Sequence, residues 1–501
     1  MVKNVFFMIN SVDINRGGLT KACLQQANIS ADLGYNTSIL TFNYNGEYSL
    51  LVDKIYNDYG LNRNIPIINM YEYFQNEQSI TKQVYKISDV VSDHDILEKV
   101  PSKNAYRVYQ DGIYKQYFTY RSDQTIKGID HFNDMRYRVR NEVYTPDGYT
   151  GKVTYMDIVL NKPRQMVFKN SKNNVYLSKW VNPENSTAHR VMLFSQDEIT
   201  HVFKNDQELK SYFVECVIRD VDNPILISDS RNTDDVLTKV NHKQAYKIIR
   251  LHSNHIKAPF NKDTSDIATT VQFAIQNLNH IDCLLVLTDR QRKDIVERFG
   301  HEDKVQVIPH GIEATKFKSL KFFKPIEAVI ISRLVALKQI SHAIDATKVV
   351  IQKFPNFKLK IYGSGTDEAN LKNKVKELKL EDHVEFMGYT TNAPSIYKKA
   401  SFSIVTSRTE GFSLAILESL ANGCPVVSYN FNYGPADIIT DGEDGFIVER
   451  NNIDELAQKM EYLIDNPKIL NQMSKHALKN VKSKFDKHNI TKEWQQFFES
   501  I

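Results

Sequence analysis

The hydrophobic and polar positions of this chain follow two patterns, and each pattern occupies its own part of the sequence. Short runs of apolar residues, such as residues 5–9, 281–288 and 402–407, precede segments in which apolar residues recur at helical spacing. A run of this kind predicts a strand that is buried on both faces of a parallel sheet and is followed by a helix. The first and last parts of the chain are therefore expected to form α/β domains.

Between residues 75 and 214 the pattern changes to alternation. Aromatic and polar residues alternate in segments such as 105–110, 114–120 and 153–159, and Asp-Gly pairs at 111–112 and 147–148 separate segments of this kind. Period two between such turn residues is typical of antiparallel strands joined by hairpins. The alternation therefore predicts a β-rich insertion.

These patterns define the expected domain organisation. We expect an α/β fold with two Rossmann-like domains and an antiparallel β-sheet inserted in the first. The first domain comprises residues 1–74 and 215–315, on either side of the insertion at residues 75–214. The second comprises residues 316–485, and a final amphipathic helix covers residues 486–501.

Composition and charge exclude several classes of protein. The 501 residues contain 64 Lys and Arg against 60 Asp and Glu, and this net charge of +4 does not indicate nucleic-acid binding. The four cysteines lie far apart, which favours reduced thiols over a zinc site or a disulfide framework. The apolar start is too short for a signal peptide, and no apolar run is long enough for a membrane span. We therefore expect a cytoplasmic location.

The first candidate for chemistry is the loop and helix that follow residues 402–407. A helix is predicted to begin near Ser413, so the N–H groups of Ser413 and Leu414 lack an acceptor within it. Such a helix start attracts phosphate. Two carboxylates flank it, Glu410 in the loop and Glu418 in the helix, and both can accept hydrogen bonds from hydroxyl groups.

Two cations follow an earlier apolar run, at residues 328–331. Arg333 and Lys338 lie in the loop after this predicted strand. The carboxyl ends of parallel strands meet at one edge of a sheet, where ligands of open α/β sheets bind. Two cations at that edge suit a diphosphate. Each charge taken alone is equally typical of a solvated surface, whereas the combination in one α/β repeat favours a binding site.

Two further pairs of residues follow strands predicted in the first domain. Gly17 and Gly18 precede a helix, where glycines allow a ligand to approach the backbone or simply form a turn. His252 and His255 follow the predicted strand at residues 246–251. A metal site is disfavoured there because no third ligand lies nearby in the sequence. The residues alone leave the roles of both pairs open.

The spacing of the charged candidates resembles that of a known family. Arg333-x4-Lys338 followed by Glu410-x7-Glu418 is similar to the donor site of retaining nucleotide-sugar glycosyltransferases with the GT-B fold, in glycosyltransferase family 4. The likeness covers the last third of the chain, since it continues through the segments at residues 362–365, 384–388 and 441–446.

Other segments narrow the resemblance. The Tyr-Gly-Pro segment at residues 433–435 and the Gly-Gly pair at residues 17–18, together with the long insertion, resemble a Gram-positive branch of this family. That branch includes the wall-teichoic-acid α-N-acetylglucosaminyltransferase, the glycosyltransferases of serine–aspartate-repeat adhesins and the first transferase of serine-rich adhesins. Its members imply an enzyme that uses a UDP-sugar.

The resemblance implies a role for each candidate. The residues expected to act in catalysis are His255, Arg333, Lys338 and Glu410, and those expected to bind the UDP-sugar are Gly17, Gly18, Tyr389, Ser413, Leu414 and Glu418. In this assignment the cations and N–H groups stabilise the leaving UDP without a metal ion or other cofactor. His255 contacts the donor sugar, Glu410 holds hexose hydroxyls, Glu418 holds the ribose, and Tyr389 lies in a segment like the uracil-binding loop. The family also implies retention by front-face attack, and a final helix that crosses back onto the first domain.

The acceptor is the least determined feature. Residues 101–200 contain 15 Lys and Arg against 10 Asp and Glu, a surplus larger than the net charge of +4 for the whole chain. The insertion is either a scaffold for homo-oligomers or a platform for an anionic, repetitive acceptor. We expect transfer of a hexose, GlcNAc first, to serine hydroxyls of serine–aspartate repeats in surface adhesins. Polyol-phosphate wall teichoic acid is the alternative, and peripheral membrane association is compatible with both acceptors. A non-catalytic GT-B partner subunit is the second alternative, which the intact donor-site residues disfavour.

Overall fold

The structure is a computed structural model that describes residues 3–12, 18–75, 84–196, 198–315 and 326–501. It divides into two compact units, Met1–Lys247 and Ile248–Ile501, which are described in turn. The domain boundaries expected from the sequence stay a prediction.

The first unit contains fourteen of the strands and five of the helices described. Its strands are β1 (Asn4–Ile9), β2 (Asn36–Thr41), β3 (Ile67–Asn69), β4 (Ile96–Lys99), β5 (Ala105–Gln110), β6 (Ile113–Tyr120), β7 (Ile126–Phe132), β8 (Arg138–Tyr144), β9 (Thr150–Asp157), β10 (Lys162–Lys169), β11 (Val175–Val181), β12 (Ala188–Ser195), β13 (Glu198–Phe203) and β14 (Ile225–Ser228). Its helices are α1 (Gly18–Asp32), α2 (Tyr48–Asp58), α3 (Met70–Gln75), α4 (Asp206–Ile218) and α5 (Asp234–Lys239).

Four strands of the first unit form parallel pairs in the order β14-β1-β2-β3. The apolar run of β1 is buried almost throughout, as expected for a strand with both faces covered. Helix α1 begins at Gly18, four residues before the start predicted at Ala22. Gly18 is exposed at this first position, whereas Gly17 lies outside the described residues.

The predicted β-rich insertion is confirmed as a ten-stranded sheet. Strands β4 to β13 lie in sequence order, and each forms antiparallel pairs with the next. Burial alternates as the sequence pattern predicted at the end of β6, where Phe118 and Tyr120 are buried and Thr119 between them is half-buried. Large apolar side chains outside its core, such as Met135 and Val159, are exposed. The sheet therefore has a packed part and a solvated part.

The second unit contains nine strands and ten helices within the described ranges. Its strands are β15 (Tyr246–Arg250), which begins at the unit boundary, β16 (Cys283–Val286), β17 (Val305–Val307), β18 (Glu327–Ile331), β19 (Lys358–Tyr362), β20 (Val384–Gly388), β21 (Phe402–Val405), β22 (Val426–Tyr429) and β23 (Gly445–Val448). Its helices are α6 (Gln272–Gln276), α7 (Asp289–Phe299), α8 (Ile340–Lys353), α9 (Glu368–Glu377), α10 (Ala393–Tyr397), α11 (Leu414–Ala421), α12 (Pro435–Ile438), α13 (Ile453–Asp465), α14 (Pro467–Lys484) and α15 (Lys487–Ser500).

A six-stranded parallel sheet dominates the second unit. Its strand order is β20-β19-β18-β21-β22-β23, and a buried apolar core fills the space between the sheet and its helices. The chain leaves β18 toward one edge of the sheet, through β19 and β20, and returns to the other side of β18 at β21. Such a reversal leaves a crevice at the carboxyl ends of β18 and β21, which is where open α/β sheets bind ligands.

Helix α15 ends the chain and returns to earlier strands of the same unit. Asp486 caps it by accepting a hydrogen bond from the His488 N–H at 2.9 Å. The buried Trp494 of α15 packs under the guanidinium of Arg250 in β15, 5.4 Å from the ring centroid. Ile490 lies against Gly311, just after β17, so closely that a Cβ at position 311 would be 3.1 Å from it. The helix thus packs across the strands β15 to β17.

Two further observations concern the predicted location. No helix within the described residues is both long enough and apolar enough to cross a membrane. The four cysteines are all free, and three of them are buried. The three buried thiols are core residues, as the sequence predicted, whereas Cys216 is half-buried.

Candidate active site

The predicted donor-site residues meet at the crevice between β18 and β21. Arg333 and Lys338 lie in the loop between β18 and α8, and Glu410 and Ser413 lie in the loop between β21 and α11. A cleft of about 340 Å³ opens there, and both Lys338 and Glu410 line it. The strand order, rather than proximity in sequence, brings the two loops together.

Lys338 and Glu410 form an ion pair within this cleft. The Lys338 ammonium contacts Glu410 Oε1, and only 15% and 20% of the two side chains is exposed. The Ser407 hydroxyl donates a second hydrogen bond to the same carboxylate oxygen at 2.9 Å. Both charges are therefore satisfied by the protein itself. Their expected roles toward diphosphate and hexose hydroxyls stay predictions.

Hydrogen bonds to main-chain carbonyl oxygens fix the two loops relative to each other. The Thr406 hydroxyl donates to the carbonyl oxygens of Lys338 and Gln339 at 2.9 and 3.0 Å. The Arg408 N–H donates to the Leu337 carbonyl at 2.9 Å. Because these bonds use backbone oxygens, they hold the position of Lys338 whatever its side chain contacts.

The start of α11 carries a group of free donors. Ser413 precedes the helix in the left-handed region, with φ 73° and ψ 73°. In the described part of the chain, the N–H groups of Phe412, Ser413, Leu414 and Ala415 have no acceptor. The Ser413 hydroxyl is likewise buried without a partner there. A left-handed serine is strained, and strain of this kind is concentrated at binding sites. The arrangement suits an anion at the helix start.

Arg333 lies on the other loop, between β18 and α8. It is exposed, and its guanidinium has no partner among the residues that the structure describes. The loop passes so close to the segment at residues 362–365 that a Cβ at Gly363 would collide with the Ser332 carbonyl oxygen. Gly363 also has φ +137°, a conformation that side chains disfavour. This close approach explains why position 363, which packs against the loop of Arg333, is a glycine.

The segment after β15 packs directly on the Glu410 loop. A Cβ at Gly411 would collide with the carbonyl oxygen of His252. The Asn254 side-chain amide donates to Thr409 Oγ1 at 2.8 Å and to the Asn432 carbonyl at 3.2 Å. His252 and Asn254 therefore belong to the same constellation as Glu410, and Gly411 is the residue that permits the contact.

His255 is fully buried rather than open to the cleft. Its ring stacks on that of Tyr433 with centroids 5.9 Å apart, and the edge of Phe299 lies 6.2 Å away. Neither ring nitrogen has a partner within the described ranges. Burial, with a smaller contribution from Arg298, lowers the pKa of His255 to about 4, so the ring is neutral at pH 7. His252 is only half-buried. A direct contact between His255 and the donor sugar stays a prediction.

A network that the sequence did not reveal supports Glu410. Its N–H donates to the Asn432 carbonyl at 3.1 Å, and its carbonyl accepts from the Tyr433 N–H at 2.8 Å. The Tyr433 hydroxyl in turn donates to Asp294 of α7 at 2.7 Å. Gly434 makes the approach possible, because a Cβ there would collide with the Phe412 carbonyl oxygen. The Tyr-Gly-Pro segment at residues 433–435 was the only signal of this support in the sequence.

The two remaining candidates lie at the sides of the crevice. Tyr389 follows β20 at the edge of the sheet and is 73% exposed. Glu418 lies half-buried on α11, and its charge adds to the burial that raises the pKa of Tyr397. The Tyr397 hydroxyl donates to the Ala415 carbonyl at 3.3 Å. The uracil and ribose roles expected for Tyr389 and Glu418 stay predictions.

A metal site was not expected here. Across the described ranges, no three His, Cys, Asp or Glu residues are grouped so that they could hold a metal ion. The charges able to face a diphosphate are instead Arg333, Lys338 and the N–H groups at the start of α11. Independence from metal stays a prediction, to be tested directly.

Comparisons with known proteins agree with this geometry. Residues 311–480 match the family model described as "Glycosyl transferases group 1", and residues 6–195 match that described as "Glycosyl transferase 1 domain A". The chain is 29% identical to a poly(glycerol-phosphate) alpha-glucosyltransferase of Bacillus subtilis, over 98% of the chain and 74% of that protein. It is 28% identical to a poly(ribitol-phosphate) alpha-N-acetylglucosaminyltransferase of Staphylococcus aureus, over the full length of both.

Solved structures extend the similarity to the fold. The crystal structure of TarM superposes with a TM-score of 0.88 at 26% identity, over 99% of both chains. A variant of S. aureus TarM, in complex with fondaparinux, alpha-GlcNAc-glycerol and UDP, superposes with a TM-score of 0.85 over 99% of this chain and 100% of that one. The pneumococcal O-GlcNAc transferase GtfA shares the fold, with a TM-score of 0.82 at 17% identity over 100% of this chain and 99% of that one.

The crevice, the two family matches and the full-length likeness to TarM all point to one class of enzyme. The expected α/β architecture, with parallel sheets and an antiparallel sheet insertion, is confirmed by these neighbours. The chain belongs to the group 1 glycosyltransferases with the GT-B fold and is a hexosyltransferase homologous to TarM and to the GtfA adhesin glycosyltransferases.

Proposed function

We propose that this enzyme transfers a hexose, with retention, from a UDP-sugar to hydroxyl groups of a polyol-phosphate polymer. The observation that supports the donor half is the Lys338–Glu410 ion pair beside the free N–H groups of α11. A diphosphate needs cations and N–H donors, and a sugar needs hydroxyl acceptors. The crevice contains both within one cleft. GlcNAc is the sugar that we expect first.

The leaving diphosphate would be stabilised by charges that are already in position. Negative charge develops on UDP as its bond to the sugar breaks, and preorganised donors stabilise that charge without reorganising. Arg333, Lys338 and the N–H groups of Ser413 and Leu414 are the groups available. Because they supply positive charge themselves, we propose that transfer needs no metal ion.

The carboxylates would orient the sugar and the nucleoside. When Lys338 turns to the diphosphate, Glu410 loses its partner and can accept hydrogen bonds from hexose hydroxyls. Asn432 and Tyr433 hold the backbone of Glu410 from both sides, so the carboxylate keeps its place during this exchange. Glu418, farther along α11, would hold the ribose.

Retention is supported by the stereochemistry of the relatives. Both polyol-phosphate enzymes are alpha-glycosyltransferases by name, and the sugars of UDP-glucose and UDP-GlcNAc are themselves α-linked. An α-donor that gives an α-product implies retention. With the imidazole of His255 buried, the leaving phosphate is the group that we propose accepts the proton of the acceptor.

The extent of similarity favours a polyol-phosphate acceptor. The two poly(polyol-phosphate) transferases match 98% and 100% of the chain at 29% and 28% identity. The peptide N-acetylglucosaminyltransferases named GtfA match between 55% and 70% of it, at 22% to 24% identity. We therefore place the polyol-phosphate polymer before the serine–aspartate repeat, which the sequence alone had favoured.

Serine hydroxyls of a serine–aspartate repeat remain the second candidate acceptor. The peptide transferase of Streptococcus gordonii is similar over 70% of this chain, and GtfA has the same fold. Both acceptors are anionic repeats, so the same positive field would attract either of them. Homo-oligomerisation through the insertion, a cytoplasmic location and peripheral membrane association stay predictions that are compatible with both.

One experiment separates these functions. The pure protein is incubated with UDP-GlcNAc or UDP-glucose, with and without EDTA, and with either a polyol-phosphate polymer or a serine–aspartate repeat peptide. We expect mass added to the polyol-phosphate polymer from UDP-GlcNAc, unchanged by EDTA. Mass added to the peptide alone would transfer the assignment to protein glycosylation. If neither transfer nor UDP-sugar hydrolysis occurs, the chain is a non-catalytic partner subunit.

A further inference from the structure

A second cleft, separate from the donor site, lies wholly within the first unit. It has a volume of about 450 Å³ and lies between the segment after β2, helix α3 and the turn that joins β8 to β9. Its lining includes Tyr44, Tyr48, Glu72, Gln75, Asp147 and Tyr149.

Two glycines shape the floor of the cleft around Tyr44. A Cβ at Gly151 would collide with the Tyr44 hydroxyl, and one at Gly46 would lie 2.6 Å from Val143. The ring of Tyr44 packs edge-to-face against that of Phe168, with centroids 5.2 Å apart. Its hydroxyl oxygen is buried and has no hydrogen-bond partner within the described part of the chain. A buried hydroxyl without a partner indicates that a ligand or water completes this site.

Two carboxyl groups of the cleft also lack partners. Neither Glu72 nor Asp147 has a hydrogen bond or ion pair to its side chain among the described residues. Glu72 is exposed as a residue, yet loss of water around its carboxyl raises its pKa to about 7, and the charge of Asp147 adds to this rise. Opposite them, the Gln75 amide donates to the Tyr149 hydroxyl at 2.7 Å and fixes that phenol oxygen in the wall.

The charges that line the cleft disfavour a phosphate. No Lys or Arg is found among its described lining residues. Arg121 and Lys127, on the neighbouring strands, are engaged by Glu47 at 3.0 and 2.8 Å. Lys152 places an ammonium 5.1 Å from the centroid of the Tyr44 ring, but it is not part of the lining, and burial lowers its pKa. An anion in the cleft would therefore face the two carboxyl groups of the lining. An uncharged molecule with many hydroxyl groups would instead find hydrogen-bond acceptors at Glu72 and Asp147 and flat apolar faces on the tyrosines.

We propose that this cleft is a second carbohydrate site, which binds an uncharged sugar that the enzyme has already attached to its acceptor. The identity of this sugar rests on the proposed function, whereas the binding of a sugar rests on the cleft alone. The second site would hold a glycosylated unit while the donor site acts on another unit of the same chain. A partly glycosylated polymer would thus bind more tightly than a bare one, because two sites engage one chain.

The test measures binding without requiring turnover. Saturation-transfer NMR with methyl α-N-acetylglucosaminide is recorded on the full chain, and dissociation constants are compared for the wild type, Glu72→Gln and Asp147→Asn. We expect each substitution to weaken binding about tenfold, the effect of losing one good hydrogen bond to a charged group. Glu184→Gln is the matched control, because Glu184 is exposed on the same sheet and is absent from the cleft.

Two additional measurements assign the signal to this cleft. The saturation signal that Glu72→Gln weakens should be unchanged in Glu410→Gln, which alters only the donor site. Glycerol phosphate should not compete with the sugar for this signal. Thermal melting of each variant checks that the fold is intact. A saturation signal that is absent, equal in all variants or displaced by glycerol phosphate overturns the second site. Absence of transfer to the polymer while sugar binding persists instead rejects only the proposed function.

Discussion

The six-stranded parallel sheet and the ten-stranded antiparallel sheet hold their charged residues in different ways. In the parallel sheet, the loops of Lys338 and Glu410 are fixed by backbone hydrogen bonds, and the start of α11 leaves its N–H groups free. In the antiparallel sheet, charged side chains pair with one another across strands, as Arg138 does with Asp130 and Arg140 with Glu142. Lys338 and Glu410 also pair with each other, but Arg333 and the N–H groups of α11 stay open to a ligand. The ion pairs of the antiparallel sheet instead neutralise their charges within the protein.

This contrast changes the meaning of the positive surplus in the insertion. Of the three arginines at positions 136, 138 and 140, two lie in ion pairs at 3.3 and 3.1 Å. Arg136 instead lies over the ring of Tyr114, 5.7 Å from its centroid. Arg107 and Arg164 are likewise paired, with Glu98 and Asp157. These ion pairs leave the net surplus unchanged, but they cancel the local charge at the paired arginines, so an anionic acceptor would be attracted mainly by cations outside ion pairs, such as Arg136.

The largest expected effect belongs to the cations of the parallel sheet. Arg333→Ala and Lys338→Ala should each lower kcat about a hundredfold or more, as does the loss of one preorganised donor to a developing charge. Initial rates of UDP-sugar turnover, measured with and without EDTA, test this. Lys398→Ala is the control, since that lysine is exposed on the same unit and lies outside the crevice. Near wild-type rates in both variants would remove these residues from the donor site.

The next effect concerns the close packing behind Glu410. Gly411→Ala should lower both the melting temperature and kcat, because its Cβ would displace the His252 backbone. Overpacking of this kind costs about 2 kcal/mol. Gly300→Ala measures, in open space, the cost of a backbone conformation that almost only glycine adopts, with φ 74° and ψ −148°, which is roughly 1–3 kcal/mol. An equal loss of stability in the two variants, with turnover kept in Gly411→Ala, would mean that the crevice tolerates movement of this loop.

A pH dependence should distinguish the buried imidazole of His255 from exposed histidines. Its pKa is about 4 in the folded state against an ordinary value of 6.5, so the unfolded chain binds the proton first as the pH falls. Stability is thus retained above pH 6.5 and lost progressively between pH 6.5 and 4, by about 2 kcal/mol at pH 5. Chemical denaturation of His255→Phe at pH 8 and pH 5 should show a smaller acid loss than the wild type. His189→Phe, an exposed position on β12, should leave that loss unchanged.

The two carboxylates of the crevice should separate binding from turnover. Glu418→Gln should weaken UDP binding roughly tenfold with little change in kcat, whereas Glu410→Gln should lower kcat and reduce the preference between UDP-GlcNAc and UDP-glucose. Calorimetric titration with UDP and steady-state kinetics with both donors measure these effects. Glu377→Gln, exposed on α9, is the control. Unchanged UDP affinity in Glu418→Gln would contradict the ribose role.

The smallest effects are expected on the antiparallel sheet. Arg136→Glu should weaken binding of the anionic polymer a few-fold at low salt and less at high salt, because its charge is not in an ion pair. Arg138→Glu should have a smaller effect on polymer affinity, since that charge is already neutralised by Asp130. Polymer affinity at two salt concentrations measures both. If affinity is independent of salt and of both substitutions, the insertion is a scaffold alone.

The fold was largely predictable because its two sheets have different hydrophobic periods. Continuous apolar runs predicted β1 and β21. Alternation predicted the hairpins of the insertion, since period two is visible in any window of a few residues. The start of α1 was predicted four residues late, because the segment from Gly18 to Ala22 has no apolar repeat. Helix starts depend on capping contacts that period alone does not reveal.

The candidate site residues were predictable where they follow predicted strands. Contacts between residues far apart in the sequence were not predictable. Arg333, Lys338, Glu410 and the start of α11 follow predicted strands, so the sheet topology was enough to group them. The Asp294–Tyr433 bond joins residues 139 positions apart, and no local pattern indicates such a pair. The burial of His255 was hidden for the same reason, because Tyr433 covers it from a distant loop.

The ion pair between Lys338 and Glu410 has a consequence for the end of the catalytic cycle. Without a donor, Glu410 cancels the charge of Lys338, so this lysine adds little attraction for stray phosphate. A UDP-sugar can take both partners at once, whereas UDP alone would occupy Lys338 and leave the Glu410 carboxylate facing a diphosphate. Re-forming the pair then competes with bound UDP. The enzyme would therefore favour substrate over spent product, and product inhibition should increase when Glu410 is replaced by glutamine.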